Sequence, residues 1–271
     1  MFGKFIYKLT TTKIQIEQIT KRVVELFAKD NCKYLELRTT PRETSTMSKK
    51  EYIEGLLDGI RDSPISVRLL ISMDRRHTAH ESLKVLEIVK EINNPLIVGV
   101  DLCGDPAKGD FITDMKPALL YAKEIGLKVT THLSELPNVD QETWDILQTR
   151  PDRVGHCIYL DEKSTKFIKE NKIPIEICLS SNICCKAVNS IEEHHVKEFI
   201  DHPIALCTDD IGVFKSTLTQ EYEMVENGLG LSKQDLFNLS LRSIDCIFDE
   251  AMKPVLKKQW LEFSNQEFEN K

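Results

Sequence analysis

The sequence lacks several features that would place the protein in a class at once. No apolar run reaches the ~18 residues that a membrane-spanning helix needs. No block of Lys or Arg provides the basic surface that duplex nucleic acid requires, and the formal net charge is −7, from 36 basic and 43 acidic residues. We therefore expect neither a membrane nor a nucleic-acid partner. A small anionic ligand is still compatible with this charge, because a few local arginines suffice to bind it.

The eight cysteines contain no C-x-x-C pair, the spacing typical of zinc ribbons and redox motifs. Several lie within apolar runs, such as IEICL and IALCT. We expect buried free thiols in a reducing compartment. The first residues have neither the continuous apolar core nor the cleavage site of a signal peptide. The expected location is therefore the cytosol.

No low-complexity stretch or Pro/Gly-rich linker divides the chain, so a single domain over residues 1–271 is predicted. Seven short apolar runs of strand type alternate with amphipathic helical patterns, for example TKIQIEQITKRVVELFAKD and AHESLKVLEIVKEI. The predicted strands are Cys32–Thr40, Ser66–Ser72, Leu96–Gly104, Leu127–Glu135, Asp152–Cys157, Ile173–Asn182 and Pro203–Asp210. This alternation predicts an α/β protein with a parallel sheet that closes into a (β/α)8 TIM barrel.

A complete barrel of this kind has eight strands, and we count seven. The residues before Cys32 have only a helical pattern. The missing element would then be an initial strand upstream of Met1, and we expect the chain to be incomplete at its N-terminus.

Polar and ionisable residues gather at the carboxyl end of every predicted strand, the end at which active sites of such barrels lie. The seven ends carry Arg38–Arg42, Asp74–Arg76, Asp101–Asp105, His132 with Glu135, His156, Ser180–Asn182, and Asp209 with Asp210. A random distribution would place such residues at both ends of the strands. The pattern therefore predicts a single site at one end of the barrel.

The residue types in this set indicate metal-assisted hydrolysis. Two histidines and two aspartates, His132, His156, Asp209 and Asp210, can ligate Zn²⁺, which accepts imidazole nitrogen and carboxylate oxygen. A bound zinc ion lowers the pKa of its water to roughly 7. Glu135 could move protons near that water, and His156 could stabilise negative charge on the attacking oxygen.

Each of these residues has a simpler interpretation when it is taken alone. A histidine at a strand end is more often a hydrogen-bonded structural residue, and an Asp-Asp pair can be a helix N-cap with its neighbour. Their joint occurrence on separate strand ends favours a site. The remaining histidines lie in polar or exposed contexts, and we interpret them as structural or surface residues: His77, His80, His194, His195 and His202.

Several of these motifs resemble those of the adenosine/AMP deaminase family. THLSE, RVGH and CTDD occur in that order at strand ends, and YLELRTTPRE, MDRR and DLCGDP are similar to the adenosine deaminase-like branch, the N6-methyl-AMP deaminases. The similarity extends from about Cys32 to Phe248. It implies a metal-dependent hydrolase barrel and a zinc-dependent deaminase that converts N6-methyl-AMP, or related N6-alkylated AMP, to IMP plus an amine.

The resemblance also implies roles for individual residues. His132 and Asp209 would be zinc ligands. Glu135 would protonate the purine ring nitrogen beside the reacting carbon, and His156 would orient the attacking oxygen. Asp210 would hold the edge of the base.

Further residues would bind the rest of the nucleotide. Gly104 would let its backbone approach the purine, because it has no Cβ. The phosphate end would be lined by residues that include an arginine fork, with an aspartate on the ribose side; these residues are Thr39, Thr40, Pro41, Arg42 and Asp74. The implied partner is a small purine nucleotide, and we expect a monomer.

Two departures from the family pattern qualify these implications. The family has a His-x-His pair at the end of its first strand, and no His-x-His occurs in these 271 residues. Cys157 occupies a position where the family usually has glycine. A non-catalytic truncated chain is therefore one alternative, and an adenosine deaminase or another metal-dependent amidohydrolase is a second.

Overall fold

The computed structural model describes residues 6–268. The chain divides into two compact units, Met1–Leu127 and Lys128–Lys271. We describe each unit by itself, and the predicted single domain over 1–271 stays a prediction. In the part of the chain that is described, no helix is long and apolar enough to cross a membrane.

The first unit is built from three parallel strands that alternate with helices. In chain order its elements are α1 (Ile6–Leu9), α2 (Lys13–Lys29), β1 (Tyr34–Thr39), α3 (Lys49–Ile60), β2 (Ser66–Asp74), α4 (Ala79–Ile92), β3 (Ile97–Cys103), a π-helical turn (Phe111–Met115) and α5 (Lys116–Glu124). β1 pairs with β2, and β2 pairs with β3. Between residues 6 and 33 the structure is helical, as predicted, and contains no strand.

Two glycines on α3 let α2 pack closely against it. A Cβ atom on Gly59 would lie 2.6 Å from Cβ of Thr20, and one on Gly55 would lie 2.9 Å from the carbonyl oxygen of Lys13. Neither approach is tolerated by a real Cβ, so glycine is required at both positions. The contact buries Ile16 and Val24 in the hydrophobic core of this unit.

The second unit contains four parallel strands. Its elements are β4 (Lys128–Leu133), α6 (Asp140–Gln148), β5 (Arg153–His156), α7 (Glu162–Asn171), β6 (Ile175–Ile177), α8 (Leu179–Cys184), a 3₁₀ turn (His195–Glu198), β7 (Ile204–Leu206), α9 (Ile211–Phe214), α10 (Leu218–Leu229), α11 (Lys233–Ser243), a second 3₁₀ turn (Ile244–Cys246) and α12 (Met252–Phe268). β4 pairs with β5, β5 with β6, and β6 with β7.

Two predicted strands are partly wrong. The run Pro203–Asp210 contains only the three-residue strand β7, which a loop follows. The run Ile173–Asn182 contains only a three-residue strand, β6, after which the chain turns at Cys178 and begins α8. Ser180, Ser181 and Asn182 therefore lie on a short helix that follows the strand. Leu179 is fully buried in this helix, so its apolar side chain fits a helix as well as a strand.

The prediction of buried cysteines holds for part of the set. All eight thiols are free, and Cys32, Cys157, Cys178 and Cys246 are buried. Cys184 and Cys185, at the end of α8, are exposed. For these two the prediction is wrong, because the last turn of α8 directs them away from the core.

Candidate active site

β4 positions two of the predicted site residues. Val129, Thr130 and Thr131 form its buried β-branched body, and His132 follows near its carboxyl end, half-buried. Just beyond the strand, Ser134 takes a left-handed φ of 52°. Its hydroxyl forms a 2.8 Å hydrogen bond with that of Thr143. This bond fixes the turn that leads to Glu135.

β5 ends at His156, which is 3 % exposed and adopts a left-handed φ of 60°. Its imidazole ring lies 5.1 Å, centroid to centroid, from that of His132. Its Nε2 atom lies 3.9 Å from Oε2 of Glu135. Two imidazoles and a carboxylate thus lie close together at the ends of two neighbouring strands.

Left-handed backbone recurs at this end of the sheet. Cys157 (φ 55°) and Asp209 (φ 52°) share it with Ser134 and His156. Such a conformation costs a residue with a Cβ roughly 1–2 kcal/mol, and strain of this kind gathers at functional sites. A glycine, which the resembling family usually has at position 157, would adopt this φ without the penalty.

Asp209 and Asp210 follow β7. Ser181 on α8 donates a hydrogen bond to Oδ2 of Asp209 at 2.7 Å. Asp210 occupies the N-cap position of α9, but its side chain makes no capping hydrogen bond. Helix capping therefore does not account for the carboxylate of Asp210.

The second unit contains side-chain atoms of the chemical types that bind zinc. The ligand atoms of His156, Cys178 and Asp209 lie within 4.8 Å of one another, and His132 lies beside His156. Imidazole nitrogen, thiolate sulfur and carboxylate oxygen are the ligands that zinc accepts. The hydroxyl of Ser181 orients the Asp209 carboxylate, as residues behind a metal ligand commonly do.

A buried ion pair lies on β5 and β6 in the same unit. Nε of Arg153 donates to Oε1 of Glu176 at 2.6 Å, and Thr130 donates to the same oxygen at 2.8 Å. Arg153 also donates to the carbonyl of Cys246 and lies 4.0 Å above the ring of Phe248. Residue 155, between Arg153 and His156, is a glycine whose Cβ would meet Glu176 at 3.4 Å. The strand that carries His156 is thus anchored by a satisfied charge pair.

Sequence reasoning gave no role to three residues that contact His156 or its hydrogen-bond partner. The side-chain amide of Asn182 donates to Nδ1 of His156 at 3.1 Å, and His194 contacts the other end of that amide at 3.1 Å. His195 donates from Nε2 to the carbonyl oxygen of His156 at 2.7 Å. His194 is fully buried, so it is not a surface residue. The polar run SIEEHHVKEF hid this, because only tertiary contacts bury its histidines.

The predicted phosphate-binding residues follow β1 in the first unit. Thr39 forms a 2.8 Å hydrogen bond with the hydroxyl of Tyr52, and Pro41 is buried. The guanidinium of Arg42 donates to the backbone and the side chain of Thr10. It also lies over two aromatic rings, 4.5 Å from that of Tyr7 and 5.7 Å from that of Tyr52. Thr40 contacts the thiol of Cys103 at 3.5 Å.

Asp74 and Gly104 lie together at the ends of β2 and β3. Gly104 has a φ of 108°, and a Cβ there would lie 2.8 Å from Oδ1 of Asp74. The close approach thus requires glycine for a reason besides ligand access. Arg76 donates to both carboxylate oxygens of Asp74. Burial acts to raise the pKa of Asp74, but the hydrogen bonds and charge of Arg76 outweigh it and lower that pKa.

Comparisons with known proteins identify the family. A model of the adenosine deaminase family matches residues 4–257. An Arabidopsis thaliana protein named N6-mAMP deaminase is 40 % identical, over 90 % of this chain and 77 % of its own. A Homo sapiens protein named N6-Methyl-AMP deaminase is 39 % identical, over 94 % of this chain and 77 % of its own.

Solved structures agree on the fold. The crystal structure of Arabidopsis ADAL complexed with IMP is 38 % identical and superposes with a TM-score of 0.92, over 96 % of this chain and 81 % of that one. This likeness confirms the predicted α/β barrel class. The chain therefore belongs to the adenosine deaminase family of hydrolytic deaminases.

Proposed function

We propose that the chain is a zinc-dependent deaminase of purine nucleoside monophosphates that acts on N6-methyl-AMP and related N6-alkylated AMP. Water adds through its oxygen to carbon 6 of the purine, and the carbon–nitrogen bond to the alkylamine breaks. The products are IMP and the protonated or neutral amine. The names of the relatives and the IMP bound to one of them support this substrate class.

One observation carries the proposal. The carboxylate of Glu135 and the imidazole of His156 face each other across 3.9 Å, beside the ring of His132. A carboxyl group in that position can protonate a ring nitrogen while the imidazole donates to the attacking oxygen. The exposed carboxylate of Asp210, close by in sequence to Asp209, would hold the edge of the base.

His132 and Asp209 would hold the zinc ion. A bound zinc ion acts as a Lewis acid and lowers the pKa of a water molecule to roughly 7. Asp209 is oriented for such a role by Ser181. The thiol of Cys178 is one more group that could bind zinc, since its sulfur lies within 4.8 Å of a carboxylate oxygen of Asp209.

In the first unit, Arg42 supplies the positive charge for the phosphate, beside Thr39, Thr40 and Pro41. Asp74 would contact the ribose, and Gly104 would face the purine. In this proposal the nucleotide is the only partner, and the protein acts as a cytosolic monomer.

A second candidate is a chain without catalytic activity. Its basis is a count of ligands. A catalytic zinc site normally keeps three protein ligands. The family resemblance assigns only two in this chain, His132 and Asp209, and the chain contains no His-x-His. A stoichiometric zinc determination on the purified chain separates the two candidates, since the first expects about one zinc ion per chain.

The direct test is an assay of amine release from N6-methyl-AMP, N6-methyladenosine and AMP. It is run on the chain and on a chimera in which the N-terminal segment of the Arabidopsis relative precedes Met1. Glu135→Gln is the informative variant, because the amide keeps the shape of the carboxyl group and removes its proton. We expect zinc content to be unchanged and kcat to fall by about 10²–10⁴-fold.

His132→Ala is the matched variant for metal binding, and it is expected to lose zinc and activity together. No release of amine by either the chain or the chimera would refute the proposed function. A Glu135→Gln variant with more than about a tenth of wild-type kcat would contradict the general-acid role.

A further inference from the structure

A chain of hydrogen bonds connects the backbone to the imidazole of His156. It begins at the 3₁₀ turn His195–Glu198, where the backbone N–H of Val196 donates to Nδ1 of His194 at 3.0 Å. Nε2 of His194 contacts Oδ1 of Asn182 at 3.1 Å, and Nδ2 of Asn182 contacts Nδ1 of His156 at 3.1 Å. All three residues are at least 97 % buried.

The direction of every bond in this chain follows from its first donor. A backbone N–H can only donate, so Nδ1 of His194 accepts and carries no proton. The proton of the neutral ring is then on Nε2, which donates to the oxygen of the Asn182 amide. The amide nitrogen is left facing His156 as a donor, so Nδ1 of His156 accepts.

We propose that Asn182 and His194 are positioning residues that fix the tautomer of His156, with its proton on Nε2. This is the atom that lies 3.9 Å from the carboxylate of Glu135. The inference deepens the proposed function and rests on it for its catalytic meaning. A ring protonated at Nε2 presents a hydrogen-bond donor to the attacking oxygen, whereas the other tautomer would present a lone pair.

Two further features preserve the direction of these hydrogen bonds from Val196 through His194 and Asn182 to His156, which we call the relay. Burial lowers the pKa of His194 from 6.5 to about 3, and the nearby imidazoles of His195 and His156 act in the same direction. His194 therefore stays neutral at physiological pH. The ring of His195 stacks on His194 at 4.3 Å and donates to the carbonyl oxygen of His156. The hydrogen bond from His195 to the carbonyl oxygen stabilises the left-handed backbone at His156.

The experiment reads the tautomer directly. Long-range ¹H–¹⁵N correlation spectra of the full chain with ¹⁵N-labelled histidine distinguish protonated from unprotonated ring nitrogens, and His156→Gln assigns the resonances of His156. In the wild-type chain we expect Nε2 protonated and Nδ1 unprotonated. A wild-type ring protonated at Nδ1 would overturn the proposal without any variant.

Asn182→Asp is the sharpest variant, because a carboxylate of nearly the same shape can only accept. We expect Nδ1 of His156 to become protonated in it. An Nδ1 that stays unprotonated in this variant would contradict the relay. Since the new carboxylate is buried, His194→Ala provides a second route. It lets the Asn182 amide rotate, and a mixture of tautomers is expected.

His194→Gln keeps an amide N–H where Nε2 was. Unlike His194→Ala, it should leave His156 protonated at Nε2 alone, as in the wild-type chain. His202→Gln is the matched control. Like His195, His202 donates from Nε2 to a backbone carbonyl at 2.7 Å, in its case that of Ile173, and it takes no part in the hydrogen bonds that connect Val196 to His156. A change of the His156 tautomer in the control would attribute the effect to general loosening and refute a specific relay.

The kinetics of the Asn182→Asp variant provide an independent test of the catalytic role of the relay. In the form that deaminates N6-methyl-AMP, Asn182→Asp should lower kcat by about 10²-fold or more, the cost of one lost donor at an oxyanion, while KM changes little. If neither the chain nor the chimera releases amine, the proposed function fails. The spectra still decide the relay, so the two failures are distinguishable.

Discussion

The hydroxyl of Ser181 donates a hydrogen bond to Oδ2 of Asp209 across 2.7 Å. Ser181 is buried on α8, and Asp209 follows β7 with a left-handed backbone. The bond orients the carboxylate that the proposed zinc site uses. Loss of such an orienting partner typically weakens metal binding by about 10–100-fold.

Ser181→Ala should therefore reduce zinc affinity by about that factor, measured by competition with a chelator of known affinity. Ser180→Ala is the control, because the hydroxyl of Ser180 contacts the sulfur of Met224 instead. Equal affinities in the wild-type chain and Ser181→Ala would show that Asp209 needs no support or does not bind the ion.

Arg42 is expected to contribute to the choice between nucleotide and nucleoside. Arg42→Ala should lower kcat/KM for N6-methyl-AMP by about 1.5–3 kcal/mol, the scale of a hydrogen bond to a charged group. It should barely change kcat/KM for N6-methyladenosine. Arg22→Ala removes one exposed charge from α2 and controls for net charge. Equal losses on both substrates would show that Arg42 acts through its contact with Thr10 and not through the phosphate.

Much of the fold could be predicted because parallel strands are buried on both faces and read as short apolar runs. Helix α4 was predicted at Ala79–Ile92 from its periodicity and has these bounds, with a capping box at Thr78. The position of His132 and His156 at strand ends followed from the same pattern. These features depend on residues close together in the sequence, so the sequence pattern predicts them.

The environment of His156 could not be predicted in the same way. Asn182 and His194 are 12 residues apart, and their contact depends on how α8 and the following turn pack. The run around His194 is polar, which favours a surface helix, yet its ring is buried by hydrogen bonds that only the folded chain provides. The strand predicted over Ile173–Asn182 failed for a related reason, since a buried short helix and a strand have the same apolar pattern.

The ion pair of Arg153 and Glu176 offers a test of how β5 is anchored. Both side chains are buried, at 7 % and 5 % exposure. Removal of one partner leaves an uncompensated buried charge, so Glu176→Gln should destabilise the fold by about 3–5 kcal/mol in urea unfolding. Glu250→Gln breaks a pair whose carboxylate is 68 % exposed, and should cost less than about 1 kcal/mol. Similar losses in the two variants would mean that the buried charge is compensated in another way.

The last prediction concerns acid. Burial lowers the pKa of His194 to about 3 in the folded chain, from 6.5. Below pH 6.5 the unfolded chain therefore binds a proton at this residue that the folded chain does not bind. The stability that the neutral ring provides is complete above the unfolded pKa and is lost progressively as the pH falls towards the folded one.

Each pH unit in that window should lower the free energy of unfolding by roughly 1.4 kcal/mol through His194 alone. Urea unfolding at about pH 7.5, 6 and 5 measures the slope. His194→Gln should be the less acid-sensitive protein, because glutamine does not titrate. His80→Gln removes an exposed histidine and should leave the slope as in the wild-type chain. A slope in His194→Gln equal to that of the wild type would show that His194 takes up its proton in the folded state as readily as in the unfolded one, and that its buried ring is not held neutral.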